Sequence, residues 1–219
     1  MDNMITIAAS LRSADWSRLG EEVKKLEQAG IDALHFDAAD GHFIDDIAMG
    51  PQFVATIRKL TALPLDVHLM MEHPERMIPK YLDAGADTII VHWEATAHVS
   101  RILDIIHERG KRAGVAINPA TPVQSLAEIF ESADTINVMS VHPGFGGKIV
   151  PNAMRKISEA RDRRAGKDMP VIQADGAVSR DTLQEFFNAG ARSFVVGYPI
   201  FSRHDYVEAV NDMRGLIKI

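Results

Sequence analysis

The sequence predicts a single (β/α)8 barrel, the TIM-barrel architecture, as one domain extending over residues 1–219. A length of 219 residues suits one such barrel, and no linker or break in composition divides the chain. A phrase also occurs three times, as QAGIDALHF, DAGADTIIVH and NAGARSFVVG. Finally, strand-like segments alternate with helix-like segments along the whole sequence, as in barrels built from repeated units.

The recurring phrase places Ala-Gly after a helix-like segment and an apolar run directly beyond it. Gly30, Gly85 and Gly190 therefore match the residue that follows a helix end, where glycine adopts a left-handed conformation at little cost. The apolar runs match buried parallel strands, which read as nearly continuous hydrophobic segments. The phrase indicates a repeated helix-to-strand unit.

Eight strands are predicted, over residues 6–9, 33–37, 65–69, 88–92, 113–117, 135–139, 171–174 and 193–196. Among the intervening helices, 15–29 has Asp15 as a candidate N-cap, and 122–132 has Thr121 as a candidate cap with proline in the first turn. The first strand-to-helix turn lacks the G-x-G-x-x-G pattern of a dinucleotide-binding fold. Eight units therefore favour a closed barrel over an open doubly wound sheet.

Composition and charge exclude several classes of function. The formal net charge of -6 disfavours nucleic acid as the main partner, because binding a phosphate backbone requires a basic face. No apolar run approaches the roughly 18 residues of a membrane span, and the start, MDNMITIAAS, lacks the features of a secretory signal. The absence of cysteine excludes disulfides and thiolate metal sites. We therefore expect a cytoplasmic protein without nucleic-acid or membrane partners.

Four ionisable side chains are predicted to meet at one end of the barrel. In such barrels, catalytic groups lie where the strands end and the following loops begin. Alternate residues of a strand share a face, so His35 and Asp37 both point to the barrel mouth. His68 in LDVHLMM and Asp175 in VIQADGAV occupy the ends of the third and seventh predicted strands. Two imidazoles and two carboxylates suit one divalent ion such as zinc, ferrous iron, manganese or cobalt.

Six motifs follow one another in the chain between residues 10 and 201: S-x-x-S-A-D, H-x-D-x-x-D-G-H-F, D-V-H-L-M, N-P-A-T-P, V-M-S-V-x-P-G-F-G-G and D-G. In order and spacing they resemble the ribulose-phosphate 3-epimerase family. The resemblance implies a barrel of the ribulose-phosphate-binding type that holds one divalent metal. By resemblance the metal ligands are His35, Asp37, His68 and Asp175, and the two aspartates are also the catalytic acid/base pair. Family members are commonly dimers or hexamers, which implies a homo-oligomer.

The resemblance also implies how the substrate is held. In the family, the backbone amides of glycine-rich turns after the sixth, seventh and eighth strands bind a phosphate group. The expected substrate is a small sugar phosphate, either ribulose 5-phosphate or a close relative, and the expected reaction is inversion at C3. Matching substrate-binding positions are Ser10, His68, Met139, Gly144, Phe145, Gly146, Gly147, Gly176, Ala177, Gly197 and Tyr198.

Several residues near this pocket depart from the family pattern. Lys148 replaces a common glutamine, and Ala177 replaces a glycine. Tyr198 interrupts the usual Gly-Ser-Ala turn. Either the Tyr198 hydroxyl donates to the ligand, or the Tyr198 ring fills the pocket. Arg12 replaces a leucine, and Ala39 replaces a methionine that packs over the enediolate. Arg12, Ala39 and Lys148 are therefore candidate specificity residues, and arginine suits bidentate binding of phosphate or carboxylate.

These residue types suit the inversion of a carbon beside a carbonyl. The proton there is weakly acidic, and a metal on the carbonyl and neighbouring hydroxyl stabilises the enediolate as a Lewis acid. Inversion requires one carboxyl group on each face of the substrate, one ionised and the other protonated. Repulsion between Asp37 and Asp175 can hold them in opposite states, although a shared metal weakens that repulsion.

Two other functions stay open on the sequence. One is a different enolate-forming isomerase or decarboxylase on another acidic sugar, although Ala39 stands where the D-x-K-x-x-D motif of related decarboxylases requires lysine. The other is a catalytically silent barrel that binds a metabolite, which the intact ligand set disfavours. Asp45 and Asp46 are expected to be solvated. No catalytic role is assigned to four other polar residues near the strand ends, His42, His92, Glu94 and Asn118.

Overall fold

The apolar runs of the sequence form a closed barrel in the computed structural model, which describes residues 5–164 and 170–218. Eight strands pair in parallel, and a pairing between the first two closes the ring. The predicted TIM barrel is therefore confirmed. The strands are β1 (Thr6–Ser10), β2 (Ala33–Asp40), β3 (Ile47–Ala48), β4 (Leu65–Met70), β5 (Thr88–His92), β6 (Arg112–Ile117), β7 (Thr135–Met139), β8 (Val171–Asp175) and β9 (Ser193–Val196).

Helices surround the barrel and bury one face each against it. In the helix over Val99–Glu108, for example, the buried positions are Val99, Ile102, Leu103 and Ile106, a spacing that places them on a single apolar stripe. Within the described residues the helices are α1 (Leu19–Gln28), α2 (Pro51–Arg58), α3 (Ile78–Asp83), α4 (Val99–Glu108), α5 (Ala153–Arg163), α6 (Leu183–Ala189), α7 (Tyr198–Phe201) and α8 (Tyr206–Leu216). None of these helices is long and apolar enough to cross a membrane.

The glycines of the recurring phrase adopt the conformation predicted for them. Gly85 has a φ angle of 101° two residues after the end of α3, and Gly190 has a φ angle of 123° directly after α6. A Cβ atom at either position would also approach an arginine side chain, at 2.6 Å from Arg58 and 2.7 Å from Arg161. Both the backbone angle and the close neighbour require glycine there.

One strand was not predicted, and it lengthens its neighbour. β3 pairs antiparallel with the end of β2, joining Ala39 to Ala48 and Asp40 to Ile47, so β2 continues three residues beyond its predicted end. The turn between them is held by Asp40, whose Oδ1 accepts hydrogen bonds from the backbone amides of His42 and Phe43. This hairpin rises over the barrel mouth, next to the predicted metal ligands.

The predicted helix over 122–132 is wrong. Only short 3-10 turns form there, over Val123–Leu126 and Phe130–Ser132. Thr121 does not cap them, because its hydroxyl donates to the Glu94 carboxylate instead. The other predicted cap, Asp15, does accept from the Ser17 amide at 3.0 Å, at the start of a 3-10 turn that precedes α1.

Candidate active site

Three strands carry four ionisable side chains to the carboxyl end of the barrel. His35 and Asp37 lie on β2, His68 on β4 and Asp175 on β8, and none is more than 8% exposed. All point inward because residues two apart on a strand share a face. Asp37 and His68 are direct neighbours across the β2–β4 pairing. One potential ligand atom from each of the four lies within 4.8 Å of all the others.

Each histidine of this cluster directs one ring nitrogen at both carboxylates. His35 Nε2 lies 3.5 Å from Asp37 Oδ1 and 3.6 Å from Asp175 Oδ2, and His68 Nδ1 lies 3.6 and 3.4 Å from the same two atoms. Neither nitrogen has a hydrogen-bond partner within the described part of the chain, although both are buried. Buried nitrogens are seldom left without a partner. Two such nitrogens facing two carboxylates fit a divalent cation between them.

The charges of the cluster displace the pKa values of its carboxyl groups in opposite directions. Burial alone would raise the pKa of Asp37, but the His35 and His68 imidazoles outweigh it and hold this pKa well below its usual value. Burial raises the pKa of Asp175, and the negative charge of Asp37 adds to the rise against the opposing effect of the imidazoles. The Asp37 carboxyl group therefore loses its proton more readily than the Asp175 carboxyl group.

The neighbouring carboxylates also displace the pKa of the His35 imidazole. Burial by itself lowers the pKa of this imidazole, but Asp37 and Asp66 outweigh it and raise that pKa well above its usual value. A divalent cation at the same place would supply the positive charge in place of the proton, since metal binding requires the neutral imidazole. The electrostatics of the cluster thus favour a cation.

A layer of polar side chains supports the cluster from inside the barrel, and it was not predicted. Asp66 Oδ2 contacts His35 Nδ1 at 3.0 Å and accepts from Gln173 Nε2 at 2.9 Å. Asn137 Nδ2 donates to Gln173 Oε1 at 2.9 Å and to Asp175 Oδ2 at 3.0 Å. Asp66 and Gln173 each lie two residues before a predicted site residue, so strand alternation was the signal that could have found them.

A second pair of residues contacts the cluster from β5 and the turn after it. His92 Nε2 lies 2.8 Å from His68 Nε2, and its Nδ1 lies 3.2 Å from Glu94 Oε2. Burial lowers the pKa of His92 to about 4, against the opposing effect of Glu94. Burial would raise the pKa of Glu94, but hydrogen bonds from His92, Thr121 and the Asn118 amide lower it to about 2. His92 is therefore a neutral imidazole beside an ionised carboxylate.

A cavity of about 370 Å³ opens directly above the cluster. Asp37 and Asp175 lie in its wall, while His35 and His68 are fully buried. Of the other residues named from the sequence, those in the lining are Ser10, Arg12, Met139, Gly144, Gly146, Gly147, Gly176, Ala177, Gly197 and Tyr198. The volume suits a small ligand, since binding pockets usually measure about 300 to 1,000 Å³.

Besides the buried His35 and His68, three residues named from the sequence lie outside this lining. Phe145 is 78% exposed at the tip of the glycine-rich loop, and Lys148 is exposed beyond it. Ala39 is buried in β2, where its strand neighbours are Met70 on one side and Ala48 on the other. Ala39 therefore bounds the pocket indirectly, through Met70, which does line it.

Arg12 stands in the cavity wall and joins two loops of the barrel mouth. Its guanidinium lies 2.7 Å from Asp46 Oδ2, and each side chain is a little over one-third exposed. The expectation that Asp46 is simply solvated is wrong, because the β2–β3 hairpin carries it over the first loop, within reach of Arg12. The ion pair leaves other donors of the guanidinium free to face the cavity.

The turns after β8 and β9 carry the residues that depart most from a glycine-rich pattern. Ala177 has a φ angle of 50°, in the left-handed region that alanine seldom occupies. Its predecessor, Gly176, has a φ angle of 89° and lies against Val141, with no room for a Cβ atom. Tyr198 starts α7 and is 77% exposed at the cavity edge. Within the part of the chain that the structure describes, the Tyr198 hydroxyl makes no hydrogen bond, so contact with a ligand and filling of the pocket both stay open as its role.

Comparison with known proteins adds evidence that is independent of this geometry. The model of the ribulose-phosphate 3 epimerase family matches residues 6–201. The chain belongs to the ribulose-phosphate 3-epimerase family. The resemblance drawn from the six sequence motifs is thereby confirmed, and the matched region spans β1 to the last residue of α7.

Named members of the family are similar to this chain over almost its whole length. The ribulose-phosphate 3-epimerase of Bacillus subtilis is 42% identical over 216 residues, which cover 97% of this chain and 99% of the relative. The ribulose-phosphate 3-epimerase of Synechocystis is 42% identical over 220 residues, covering 98% and 95% of the two chains. Among solved structures, KGPDC from Streptococcus mutans superposes with a TM-score of 0.71 at 12% identity, over 98% of this chain and 97% of that one. That likeness shows the shared barrel fold.

Proposed function

We propose that this protein is a metal-dependent epimerase that inverts C3 of a phosphorylated ketose, either ribulose 5-phosphate or a close relative. The observation that carries the proposal is the pair Asp37 and Asp175, whose carboxylate oxygens lie within 4.8 Å of each other in the wall of one cavity. Their pKa values are displaced in opposite directions, as an acid and a base require. Family membership supports the same reaction.

His35, Asp37, His68 and Asp175 would hold one divalent ion, for which zinc, ferrous iron, manganese and cobalt all suit the donor set. The two partnerless ring nitrogens and the two carboxylates that face them support this assignment. When bound, such an ion supplies Lewis-acid stabilisation of the negative charge that develops on the substrate oxygens. The rest of the reaction is assigned to side chains of the protein.

The proton transfers are assigned to the two aspartates. The ionised Asp37 removes the proton at C3 from one face of the substrate, and the protonated Asp175 delivers a proton to the other face. The reverse reaction exchanges these roles. Ser10 Oγ donates to Asp37 Oδ2 at 2.7 Å, and Asn137 Nδ2 donates to Asp175 Oδ2 at 3.0 Å, so each carboxyl group is held in a fixed orientation.

The phosphate group of the substrate would bind at the glycine-bearing turns in the cavity wall. Gly146 and Gly147 have open space around the position of an absent Cβ atom, so a ligand can approach their backbone closely. Gly144, Gly176, Ala177, Gly197 and Tyr198 complete this side of the cavity. Met139 would pack against the carbon chain of the sugar, since it lies in the wall beside Asp175.

Arg12, Ala39 and Lys148 are proposed as specificity residues, with different geometries. Arg12 lines the cavity and would contact an anionic group of the substrate directly. Ala39 would affect specificity indirectly, because its small side chain leaves space beside Met70. Lys148 and Phe145 are exposed on the glycine-rich loop, so they would reach the ligand only if that loop folds over the cavity.

The resemblance to the family also supports a homo-oligomer, either a dimer or a hexamer, of one-domain subunits that act in the cytoplasm. Sedimentation velocity of the purified chain tests the oligomeric state: a monomer at micromolar concentration would refute it.

The reaction is tested by incubating the metal-loaded protein with several ketose phosphates in deuterated water and following each product by NMR. We expect deuterium at C3 together with the C3 epimer, and no reaction with the unphosphorylated sugars at equal concentration. Deuterium at C1 with an aldose product would show an isomerase instead. Absence of exchange with every substrate, despite bound metal, would refute the proposal.

A further inference from the structure

A buried chain of contacts ends at His68, on the side of its ring that faces away from the two aspartates. His68 Nε2 lies 2.8 Å from His92 Nε2, and His92 Nδ1 lies 3.2 Å from Glu94 Oε2. Both imidazoles are fully buried, and the Glu94 side chain is 24% exposed. The three side chains therefore form a line from the barrel surface to the ligand cluster. The proposed reaction does not use this line.

The line determines where the ring protons lie. An ionised carboxylate only accepts hydrogen bonds, so His92 must donate to Glu94 from Nδ1. His92 Nε2 and His68 Nε2 are 2.8 Å apart, so only one of these two nitrogens carries a proton. With the His92 proton on Nδ1, His92 Nε2 is bare and accepts the proton of His68 Nε2. His68 in turn has no proton on Nδ1, the atom that faces Asp37 and Asp175 at 3.6 and 3.4 Å. A bare imidazole nitrogen is what a metal ion requires.

Glu94 is itself held so that it cannot turn away. Its Oε1 accepts from the Asn118 backbone amide at 2.8 Å and from the Thr121 hydroxyl. The carbonyl of Asn118 accepts from the buried Lys156 Nζ at 2.6 Å, which fixes the backbone that holds Glu94. Only Oε2 therefore remains for His92. The other histidine of the cluster reaches a carboxylate without an intervening histidine, since His35 Nδ1 contacts the Asp66 carboxylate directly at 3.0 Å.

We propose that Glu94 and His92 are positioning residues that hold His68 in the tautomer with a bare Nδ1 toward the metal. The inference rests on the proposed function only in taking His68 as a metal ligand. Outer-sphere partners of ligating histidines fix both ring orientation and tautomer, and their loss weakens metal binding by about 10- to 100-fold.

Glu94→Gln is the sharpest test, because it keeps the size of the side chain and reverses the direction of every hydrogen bond from residue 94 to His68. The Asn118 and Thr121 donors require an acceptor, so they retain the amide oxygen of the new side chain and turn its NH2 group toward His92. That group donates to His92 Nδ1, which moves the His92 proton to Nε2. His92 then donates to His68 Nε2, and the remaining proton of His68 moves to Nδ1, where it blocks the metal.

Two measurements on the full-length chain read out this reversal. In metal-free protein, nitrogen-15 NMR of the histidine rings should show His68 protonated at Nε2 in the wild type and at Nδ1 in Glu94→Gln. Competition with a chromophoric chelator should show Zn²⁺ bound about 10- to 100-fold more weakly by the variant. Unchanged tautomer and unchanged Zn²⁺ affinity in a folded Glu94→Gln would overturn the proposal.

The control is Glu22→Gln, which neutralises a buried carboxylate on α1 that contacts Tyr206 and Lys25, away from the metal cluster. Its Zn²⁺ affinity should equal that of the wild type. If Glu94→Gln does not fold, His92→Gln and His92→Leu replace it. His92→Gln keeps a donor and an acceptor and should bind Zn²⁺ more tightly than His92→Leu, and equal affinities would refute the inference.

Failure of this inference is distinguishable from failure of the epimerase proposal. A wild type that epimerises, with a Glu94→Gln variant unchanged in tautomer and in Zn²⁺ affinity, refutes the positioning role alone. A tautomer that reverses in a protein without activity on any ketose phosphate refutes the epimerase proposal alone.

Discussion

Asp37 and Asp175 stand on strands that do not pair, yet their carboxylate oxygens lie within 4.8 Å of each other at the barrel mouth. Two further strands, β1 and β9, separate β2 from β8 in the ring, so only the closure of the barrel brings these residues together. Their pKa values are displaced in opposite directions, with Asp37 held low and Asp175 raised. The proposed reaction requires a base and an acid in this relationship.

Replacing either aspartate by asparagine should abolish epimerisation but leave proton exchange on one face of the substrate. Each variant retains one carboxyl group, which can remove a proton and return a deuteron to the same face. Asp37→Asn and Asp175→Asn should therefore each exchange C3 with deuterated water in one epimer only, and in opposite epimers. Loss of inversion should be at least about 100-fold, the lower range for a general acid or base.

NMR of each pure epimer, incubated with each variant, measures this exchange. Inversion at near wild-type rates by either variant would refute the assignment of two acid/base groups. Circular dichroism spectra that match the wild type would serve as the control for folding.

Metal binding should stabilise the fold, because the cluster is complete only in the native state. At a free Zn²⁺ concentration 100 times the dissociation constant, the free energy of unfolding should rise by about 2.7 kcal/mol. Thermal denaturation with and without Zn²⁺ measures the effect. His35→Gln and His68→Gln should reduce it, because each removes one of the two nitrogens that face the carboxylates. If Zn²⁺ raised the free energy of unfolding of both variants as much as that of the wild type, Zn²⁺ would bind elsewhere.

Arg12 and Asp46 should affect substrate binding in opposite directions. Arg12→Leu removes a cation from the cavity wall and should raise KM by about tenfold, since a hydrogen bond to a charged group contributes about 1.5–3 kcal/mol. Asp46→Asn breaks the same ion pair but leaves the guanidinium free for the substrate, so KM should be unchanged or lower.

Steady-state kinetics of both variants show whether Arg12 binds the substrate or only stabilises the loops through its ion pair with Asp46. The ion pair is partly exposed, so its loss alone should change the free energy of unfolding by less than about 1 kcal/mol. Equal rises of KM in the two variants would mean that the ion pair, and not Arg12 itself, serves the substrate.

Ala177 and Gly176 form a natural pair for a test of backbone strain. Ala177 has a φ angle of 50°, so Ala177→Gly should raise the free energy of unfolding by about 0.5–1 kcal/mol. Gly176→Ala should lower it by at least about 2 kcal/mol, because its new Cβ atom would overlap Val141 in addition to the unfavourable φ angle of 89°. Urea denaturation measures both. A destabilised Ala177→Gly variant would contradict the strain.

The Asp40 turn should make stability depend on acid pH. Burial would raise the pKa of Asp40, but the backbone amides of Phe43, His42 and Glu72 outweigh it and lower that pKa below 3.8. A lowered pKa in the folded state contributes stability above pH 3.8, and this contribution is lost as the pH falls through the folded pKa.

Asp40→Asn should test this turn directly. The amide NH2 of the new side chain cannot accept from the Glu72 amide, which now donates to Asp40 Oδ2 at 2.9 Å. The variant should lose about 1–2 kcal/mol at pH 7 and progressively less below pH 3.8. Urea titrations at several pH values measure the difference, and a loss that grows toward acid pH would contradict the assignment.

Much of the fold and the members of the cluster could be predicted because their signals are local. The Ala-Gly phrase marks helix ends because its glycine adopts a left-handed conformation. The apolar runs mark strands that are buried on both faces. Strand alternation alone turns His35 and Asp37 toward the same side. These properties depend on neighbours a few positions away in the chain.

The contacts that support the cluster depended instead on pairings between distant strands. The His35–Asp66 contact spans 31 positions, and His68–His92 spans 24. Thr121 has the sequence of a helix cap, but its hydroxyl donates to Glu94, 27 positions earlier, and only short 3-10 turns follow it. Arg12 and Asp46 likewise meet only because the β2–β3 hairpin extends over the first loop.

The sequence by itself determined the repeated units, the inward side of each strand and the residue types at the strand ends. The tertiary structure decided which of those side chains touch, because contact requires the register and closure of the whole ring. It therefore decided the neighbours of the histidine rings, the opposite pKa shifts of the two aspartates and the partner of Arg12.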